Sequence, residues 1–266
     1  MKNAGALLKW IYRFGNVILR NPSALTGKFR YLFVLSHMRG YTTLVSHILG
    51  SHPQISGYFE LHQSYRTAFD LFLMRVRVAN GLNYQVHGTY LLDKILHSRL
   101  HISPDILQRE DVFTIFTIRK PEESIRSLMN MTMQKSLMDA RKKPGTLDYA
   151  MAHYVDRLNS LKNMSHIPRN RIYVDGESLV ENPEPVLEFI RSFLHLDEKI
   201  SASYSTFKLT GTDAGAGDFL GYIKQGKIVK QRDAHNEYQI TPDALEKACE
   251  VYEETRSVLK KNCPNI

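Results

Sequence analysis

A short polar turn between two apolar stretches carries the residue types that bind an anion. It reads Ser-His-Met-Arg-Gly-Tyr-Thr-Thr over residues 36–43. The turn contains a cation, Arg39, and a glycine, Gly40, that can adopt a positive φ angle. Two hydroxyls, Thr42 and Thr43, stand where helical spacing begins. Backbone N–H groups in such a turn, together with the positive end of the helix dipole, form a concave site for a phosphate. The turn therefore predicts an anionic ligand.

The sequence on either side of the turn predicts the elements that position it. Residues 31–35 form an apolar run without alternation, which is typical of a strand buried on both faces. Apolar residues then recur at helical spacing over 44–49, and Gly50 follows where a helix would end. The strand, the turn and the helix form a βα unit, with the turn at the carboxyl end of the strand.

The turn is not a Walker A sequence. The Walker motif, GxxxxGK[ST], requires a second glycine and a lysine beside the hydroxyl residue, and neither is present. Chemistry that uses ATP and Mg²⁺ is therefore disfavoured.

The turn resembles instead the 5′-phosphosulfate loop of sulfotransferases that use 3′-phosphoadenylyl sulfate (PAPS). That loop commonly reads R-S-G-T-T followed by leucines. Arg39, Thr42, Thr43 and Leu44 match the motif, while Tyr41 stands at the usual glycine position. Either Tyr41 accepts strain there or the turn has another shape. The resemblance implies that Gly40, Tyr41 and both threonines surround the 5′-phosphosulfate.

A histidine-proline pair and a later glutamate follow the turn, as in several members of that family. Residues 52–60 predict a turn and a second strand that ends at Glu60. This residue matches the glutamate base of carbohydrate and tyrosyl-protein sulfotransferases. An attacking hydroxyl must lose its proton, and a carboxylate can accept it. His62 is the reserve candidate for the base. Without the resemblance, Glu60 would be interpreted as a surface residue at a strand end.

The next predicted strand also ends in a charged residue. Residues 88–94 resemble the third core strand of sulfotransferases. Lys94 would offset the charge that grows on the bridging oxygen as the S–O bond breaks. Arg39 would share this role through bidentate contact with the phosphosulfate. The alternative for Lys94 is an ion pair with Asp93 or another carboxylate at the strand end.

A second strand-to-helix junction carries a second anion motif. Residues 111–118 are rich in Val, Ile, Phe and Thr and predict a strand, and Pro121 suits the first turn of the helix that follows. In sulfotransferases, a strand followed by R-x-P, with a serine eight positions after the arginine, binds the 3′-phosphate of PAPS. Arg119 and Ser127 match this pattern. The alternative for Arg119 is a salt bridge. A Walker B strand would end in Asp, which again argues against an NTPase.

Two further segments have both a functional and a structural interpretation. Residues 210–230 are Gly-rich and basic, and they resemble the late loop that closes over PAPS, where Lys224 and Lys227 would approach the 3′-phosphate. A flexible loop without a ligand is the alternative. Residues 1–28 predict a basic amphipathic helix, which either packs on the domain or rests on an anionic membrane as a peripheral contact.

The composition limits the class of protein. A chain of 266 residues with 43% apolar content can bury one large core, so we expect a single domain over 1–266. The net charge of +8 suits an anionic ligand, nucleic acid or a membrane equally well. Two cysteines without zinc spacing indicate a reducing, cytoplasmic setting and a metal-free site. No signal peptide and no apolar run of membrane-spanning length is recognised.

The resemblance implies a three-layer α/β fold, in which helices flank a parallel sheet as in P-loop NTPases, and a PAPS-dependent sulfotransferase activity. The product would be PAP, no metal would be required, and the acceptor would be a small molecule, glycan or lipid alcohol rather than nucleic acid. Glu60, Lys94 and Arg39 would be catalytic. Two alternatives stay open: a kinase-like phosphotransferase, and a non-catalytic basic module that docks on membranes or polyanions.

Overall fold

The computed structural model describes residues 11–12, 14–17, 19–83, 85–138, 145–212, 221–229 and 239–266. Helices and strands alternate through most of these residues. In chain order the elements are α1 (Ser23–Thr26), β1 (Arg30–Leu35), α2 (Thr42–Gly50), β2 (Ile55–Ser56), α3 (Ala68–Gly81), β3 (Tyr90–Ile95), α4 (Pro104–Leu107), β4 (Val112–Ile118), α5 (Pro121–Met138), α6 (Leu147–Met164), β5 (Asn170–Asp175), α7 (Gly176–Glu181), α8 (Pro183–Leu194), a 3₁₀ turn (Ile223–Gln225) and α9 (Pro242–Asn262).

The strands form one parallel sheet in the order β2-β3-β1-β4-β5. The central strand, β1, pairs with β3 on one side and with β4 on the other. Parallel neighbours require crossover connections, and the helices between the strands supply them. The predicted α/β fold with a parallel sheet flanked by helices is confirmed.

The two faces of β1 pack against different layers of helices. Tyr31, Phe33 and Leu35 belong to a core cluster that contains residues of α3, α5, α6 and α9. Leu32 and Val34 belong to a second cluster with residues of α2, α7 and α8. Because both faces are buried, the strand needs no alternation of apolar and polar residues, which explains the continuous apolar run in the sequence.

The sheet has a topological switch point at its centre. After β1 the chain proceeds towards β2 and β3, whereas after β4 it proceeds towards β5 on the opposite side. The connections that leave these two neighbouring strands therefore diverge, and in open α/β sheets ligands bind in the crevice that results. Residues 36–41 and 119–120, which follow β1 and β4, flank this crevice.

The described part of the N-terminal segment packs on α3. Residues 14–17 are helical, and Val17 and Ala24 lie in a small buried cluster with Val76 and Ala79. This agrees with the interpretation of a packed helix, although residues 1–10 lie outside the described residues. Throughout the described ranges, the helices lack the combination of length and apolarity that a bilayer crossing requires.

The second strand is shorter than the sequence predicts. β2 ends at Ser56, four residues before Glu60, so the prediction that Glu60 ends a strand is wrong. Gly57 has φ +115°, and a Cβ at this position would lie 2.5 Å from the carbonyl oxygen of Leu92. The chain thus turns off the sheet edge at a residue that must be glycine, and Glu60 lies in an irregular segment.

Candidate active site

The turn after β1 has an unusual backbone. Tyr41 is the N-cap of α2 and has a left-handed conformation, with φ 59° and ψ 10°. Arg39 also has a positive φ, 66°. Such a conformation costs an ordinary residue about 1 to 2 kcal/mol, so Tyr41 accepts the strain that the sequence allowed for. Gly40 is needed for another reason, since a Cβ there would lie 2.6 Å from Ser36 Oγ and 3.1 Å from the ring of His37.

The N-terminus of α2 is open to an anion. The side chain of Tyr41 accepts no hydrogen bond from the N–H groups of the first turn, which contains Thr42 and Thr43. By contrast, the first turn of α6 is capped by Thr146, whose hydroxyl accepts from the N–H of Tyr149. Uncapped N–H groups at the positive end of a helix dipole favour a negatively charged ligand.

Three residues predicted to bind the donor meet between β1 and β4. Arg39 Nε donates to Ser127 Oγ at 2.8 Å. Arg119 Nη1 donates to the carbonyl oxygen of Arg39 at 3.4 Å. Residues that are about ninety positions apart in the sequence thus lie side by side. We name residues 36–43 together with residues 119–127 the β1/β4 half of the site.

Arg119 is held by a carboxylate and by an aromatic ring. Its Nε and Nη2 donate to Glu123 Oε2 at 3.0 and 2.6 Å. Its guanidinium carbon lies 4.2 Å from the ring centroid of Tyr41, a cation–π distance. The side chain of Arg119 is 6% exposed and that of Glu123 is 42% exposed. The salt bridge considered for Arg119 is therefore present, and its partner is the i+4 residue of the same junction.

Sequence reasoning did not identify His37, which fastens the turn to β4. The side chain is fully buried, its Nε2 accepts from the N–H of Arg119 at 3.1 Å, and its Nδ1 donates to the carbonyl oxygen of Met38 at 2.8 Å. These partners fix a neutral tautomer, and burial lowers the pKa of His37 to about 3. The only signal in the sequence is a histidine directly after a buried strand.

Arg157 is a second residue that the sequence analysis missed. Its Nε donates to the carbonyl oxygen of Ser36 at 2.8 Å, and its Nη2 donates to that of Ile95. Burial lowers the pKa of Arg157 to about 10, so it stays a cation at neutral pH. The guanidinium therefore joins the carboxyl ends of β1 and β3. The available signal was an arginine between the buried positions Tyr154 and Leu158 of α6.

The predicted base and the predicted lysine also lie together. Glu60 Oε1 is 3.9 Å from Lys94 Nζ, and Glu60 Oε2 is 3.6 Å from His62 Nδ1. Lys94 is fully buried and the side chain of Glu60 is 13% exposed. Burial lowers the pKa of Lys94, while the nearby carboxylates of Glu60 and Asp93 oppose that shift. The ion pair considered for Lys94 is formed, mainly with Glu60. We name Glu60, His62, Lys94 and His97 the β3 half of the site.

A buried carboxylate holds the irregular segment that carries Glu60. Asp93 Oδ1 accepts from the N–H of Leu61 at 2.9 Å, and Oδ2 accepts from the hydroxyl of Tyr65 at 2.6 Å. Arg77 Nη1 donates to the carbonyl oxygen of Leu61 at 2.9 Å. Burial raises the pKa of Asp93 to about 7. These hydrogen bonds replace the strand pairing that the sequence predicted for this segment.

Histidines extend the β3 half towards α6. The ring centroids of His62 and His97 are 6.1 Å apart, and those of His97 and His153 are 5.6 Å apart. Burial lowers the pKa values of His97 and His153 to about 4, so both rings are neutral at pH 7. The ligand atoms of Glu60, His62 and His97 lie within 4.8 Å of one another.

The start of the Gly-rich segment is bound to α2. His47 Nδ1 donates to the carbonyl oxygen of Thr43 at 2.8 Å, so its Nε2 accepts from Thr210 Oγ1 at 2.9 Å. Lys224 and Lys227 are exposed in the described part of this segment, and their contact with a donor stays a prediction. Residues 213–220 and 230 lie outside the described residues.

Comparison with known proteins identifies the fold. No protein-family model and no curated protein sequence matches the chain. Among solved structures, it is similar to the sulfotransferase domain from the curacin biosynthetic pathway, with a TM-score of 0.55 and 16% identity over 85% of this chain and 97% of that one. The chain has the sulfotransferase fold. It is also similar to sulfotransferase STF9 from Mycobacterium avium, with a TM-score of 0.54 and 16% identity over 91% of this chain and 81% of that one.

The sulfotransferase fold is thus shared at low sequence identity. The roles of individual residues, the sulfuryl donor and the acceptor are not fixed by a likeness of this kind.

Proposed function

We propose that this protein transfers a sulfuryl group from PAPS to a hydroxyl of an acceptor. The observation that carries the proposal is the meeting of Arg39, Arg119 and Ser127 beside the uncapped N-terminus of α2. Two guanidinium groups, a hydroxyl and open backbone N–H groups form a donor set for a ligand that carries several negative charges. PAPS carries a phosphosulfate at one end and a 3′-phosphate close to it.

Each group of the donor set has a proposed partner on PAPS. The backbone from Gly40 to Thr43 would surround the 5′-phosphosulfate, with Arg39 above it. Arg119 and Ser127 would hold the 3′-phosphate, which Lys224 and Lys227 approach from the late segment. The carboxylate of Glu123 forms an ion pair with Arg119. The side chain of Glu123 is 42% exposed, so it has room to turn into solvent when a phosphate binds.

Glu60 and Lys94 of the β3 half would supply the chemistry of transfer. The acceptor oxygen forms a bond to sulfur while the bond between sulfur and the bridging oxygen breaks, and PAP leaves with the electron pair. The proton of the acceptor hydroxyl passes to Glu60. Lys94 and Arg39 offset the negative charge on the leaving phosphate, an effect commonly worth about 3 kcal/mol for each contact.

The acceptor is proposed to be an alcohol of a glycan, a lipid or another small molecule. The apolar side chains of Ile11, Tyr12 and Leu19 are exposed on the N-terminal helix, which supports a peripheral contact with a membrane that carries the acceptor. Sedimentation with anionic vesicles tests this contact. Leu19→Asp should reduce the bound fraction, and equal binding of both proteins would contradict a role for this face.

Thermal shift with PAP and with AMP tests the proposed donor. A ligand at a hundred times its dissociation constant stabilises the folded state by about 2.7 kcal/mol, so PAP should raise the melting temperature by several degrees and AMP by less. Acceptors are then screened with labelled PAPS. Equal shifts with both nucleotides would contradict a 3′-phosphate site, and Mg²⁺-dependent turnover of ATP would favour a phosphotransferase instead.

A further inference from the structure

We propose that Glu60, His62 and His97 form a binding site for a divalent transition-metal ion, most suitably Zn²⁺, and that an ion bound there inhibits sulfuryl transfer. The inhibitory part of this inference rests on the proposed function, because it assigns to the ion the same carboxylate that would take the acceptor proton. The ion is not a participant in the transfer.

The donor set selects the class of ion. One carboxylate and two imidazoles are ligands that suit Zn²⁺ and neighbouring transition metals, whereas Mg²⁺ and Ca²⁺ prefer oxygen donors alone. Three protein ligands with a position left for water form a common zinc arrangement. The three ligands do not form a recognisable motif in the sequence, since Glu60 and His62 are two residues apart and His97 follows the next strand.

The distances require only small movements of side chains. The ligand atoms of Glu60, His62 and His97 lie within 4.8 Å of one another, and Glu60 Oε2 is 3.6 Å from His62 Nδ1. Tetrahedral zinc with bonds of about 2.1 Å needs ligand atoms roughly 3.4 Å apart. The 48% exposed side chain of His62 can rotate to close the remaining distance.

The backbone that carries two of the ligands is fixed on both sides. Leu61 stands between Glu60 and His62, its N–H donates to Asp93, and its carbonyl oxygen accepts from Arg77. His97 follows the strand that contains Asp93. One buried carboxylate therefore ties the segment that carries Glu60 and His62 to the strand that His97 follows.

Lys94 and the ion would use different oxygens of the same carboxylate. Lys94 Nζ faces Glu60 Oε1, whereas Oε2 faces His62. Ligation through Oε2 keeps the contact with Lys94 but removes the lone pair that would accept a proton. The nearby ammonium opposes a dication, so we expect weaker binding than at a structural zinc site. The ion would therefore inhibit sulfuryl transfer reversibly.

Binding is tested on the full chain with the metal alone. Zn²⁺ is titrated in competition with a chromophoric chelator, and Co²⁺ is used as a spectroscopic probe of the ligands. We expect one equivalent of Zn²⁺ to bind. His62→Gln and His97→Gln should each lower the affinity for Zn²⁺ by at least about tenfold, since loss of even an outer-shell partner costs 10- to 100-fold in metal affinity. His101→Gln, an exposed histidine on the same connection as His97, is the matched control.

The results for binding and for inhibition decide the inference separately. It is overturned if no equivalent of Zn²⁺ binds, or if His62→Gln and His97→Gln both bind it as the unmodified chain does. Inhibition is overturned if Zn²⁺ binds at the cluster and transfer proceeds at the same rate. It is supported if chelation restores transfer and if His97→Gln loses sensitivity to Zn²⁺ by the factor found for binding. If the chain binds Zn²⁺ but its metal-free form transfers no sulfuryl group from PAPS, the proposed function is contradicted and the metal site still stands.

Discussion

The β1/β4 half and the β3 half of the site are built in different ways. In the first, Arg119 follows β4 directly, and Arg39 lies in the short turn between β1 and α2, four residues beyond the end of β1. In the second, Glu60 lies four residues beyond a two-residue strand, in a segment held by hydrogen bonds to Asp93. A short turn from a strand into a helix therefore positions one half, and an irregular segment held by a buried carboxylate positions the other.

The charges of the two halves also have different partners. Arg119 pairs with Glu123, whose side chain is 42% exposed, whereas Lys94 lies beside Glu60, whose side chain is 13% exposed. A carboxylate at the surface can turn into solvent when a ligand anion takes its place beside the arginine, because it regains water there. The buried pair is retained. We infer that the β1/β4 half exchanges partners on binding and that the β3 half does not.

Replacing Glu60 tests the β3 half with the largest expected effect. Glu60→Gln keeps the shape of the side chain but cannot accept a proton, so we expect kcat to fall by about 10²- to 10⁴-fold. PAP binding, measured by calorimetry, should stay within about twofold because the donor set belongs to the other half. Glu250→Gln, at an exposed position of α9, is the control. Unchanged turnover would remove Glu60 as the base.

Replacing Arg157 tests the connection between the halves. Arg157→Met leaves the carbonyl oxygens of Ser36 and Ile95 without their buried donor, and each unpaired group costs about 1 to 3 kcal/mol. We expect the free energy of unfolding in urea to fall by about 2 to 5 kcal/mol. The exposed Arg169→Met is the control. A loss below about 1 kcal/mol would show that the halves are held together by other contacts.

Replacing Arg119 tests the exchange of partners. A hydrogen bond to a charged group contributes about 1.5 to 3 kcal/mol. Arg119→Ala should therefore lower the affinity for PAP by about 10- to 100-fold and the affinity for AMP much less. Arg109→Ala is the matched control, because Arg109 also pairs with a carboxylate, that of Asp111, through two nitrogens, at the other end of β4. Glu123→Gln should raise the affinity for PAP by about two- to fivefold, because it removes the carboxylate that competes for Arg119. Equal losses for both nucleotides would place the 3′-phosphate elsewhere.

The pH dependence of the free energy of unfolding tests the contact by which His37 holds the turn to the end of β4. The pKa of His37 is about 3 in the folded chain against an ordinary value of 6.5. As pH falls below 6.5, the unfolded chain binds a proton that the folded chain excludes, so stability is lost towards acid at about 1.4 kcal/mol per pH unit. Unfolding in urea from about pH 7 to about pH 4 measures this slope. His37→Gln should reduce it by that amount, and the exposed His166→Gln should not.

The sequence predicted the parts of the molecule that local patterns determine. The apolar runs predicted β1 and β4 to within one residue, and Pro121 predicted the start of α5. Arg39 and Arg119 could be paired because parallel strands bring their carboxyl ends to one edge of the sheet.

The residues that were missed depend on contacts that no local pattern encodes. His37, Arg157 and Asp93 act through hydrogen bonds to partners that are distant in the sequence, up to 121 positions away. The early end of β2 at Gly57 follows from a close approach to Leu92, which is visible only when the strands are assembled. Long-range pairing of buried polar groups was therefore the part of the site that the sequence concealed.

Tyr41 combines a left-handed backbone conformation with an aromatic contact to Arg119, whereas a glycine at this position would provide only the conformation. Its backbone angle costs about 1 to 2 kcal/mol, and its ring returns about 0.5 to 2 kcal/mol through the face it presents to Arg119. Tyr41→Gly would therefore relieve the backbone strain and remove the contacts of the ring with Arg119 and with the apolar cluster on one side of the sheet. It would also release the guanidinium from its aromatic support, so we expect the looser arginine to weaken the binding of the nucleotide that it is proposed to hold.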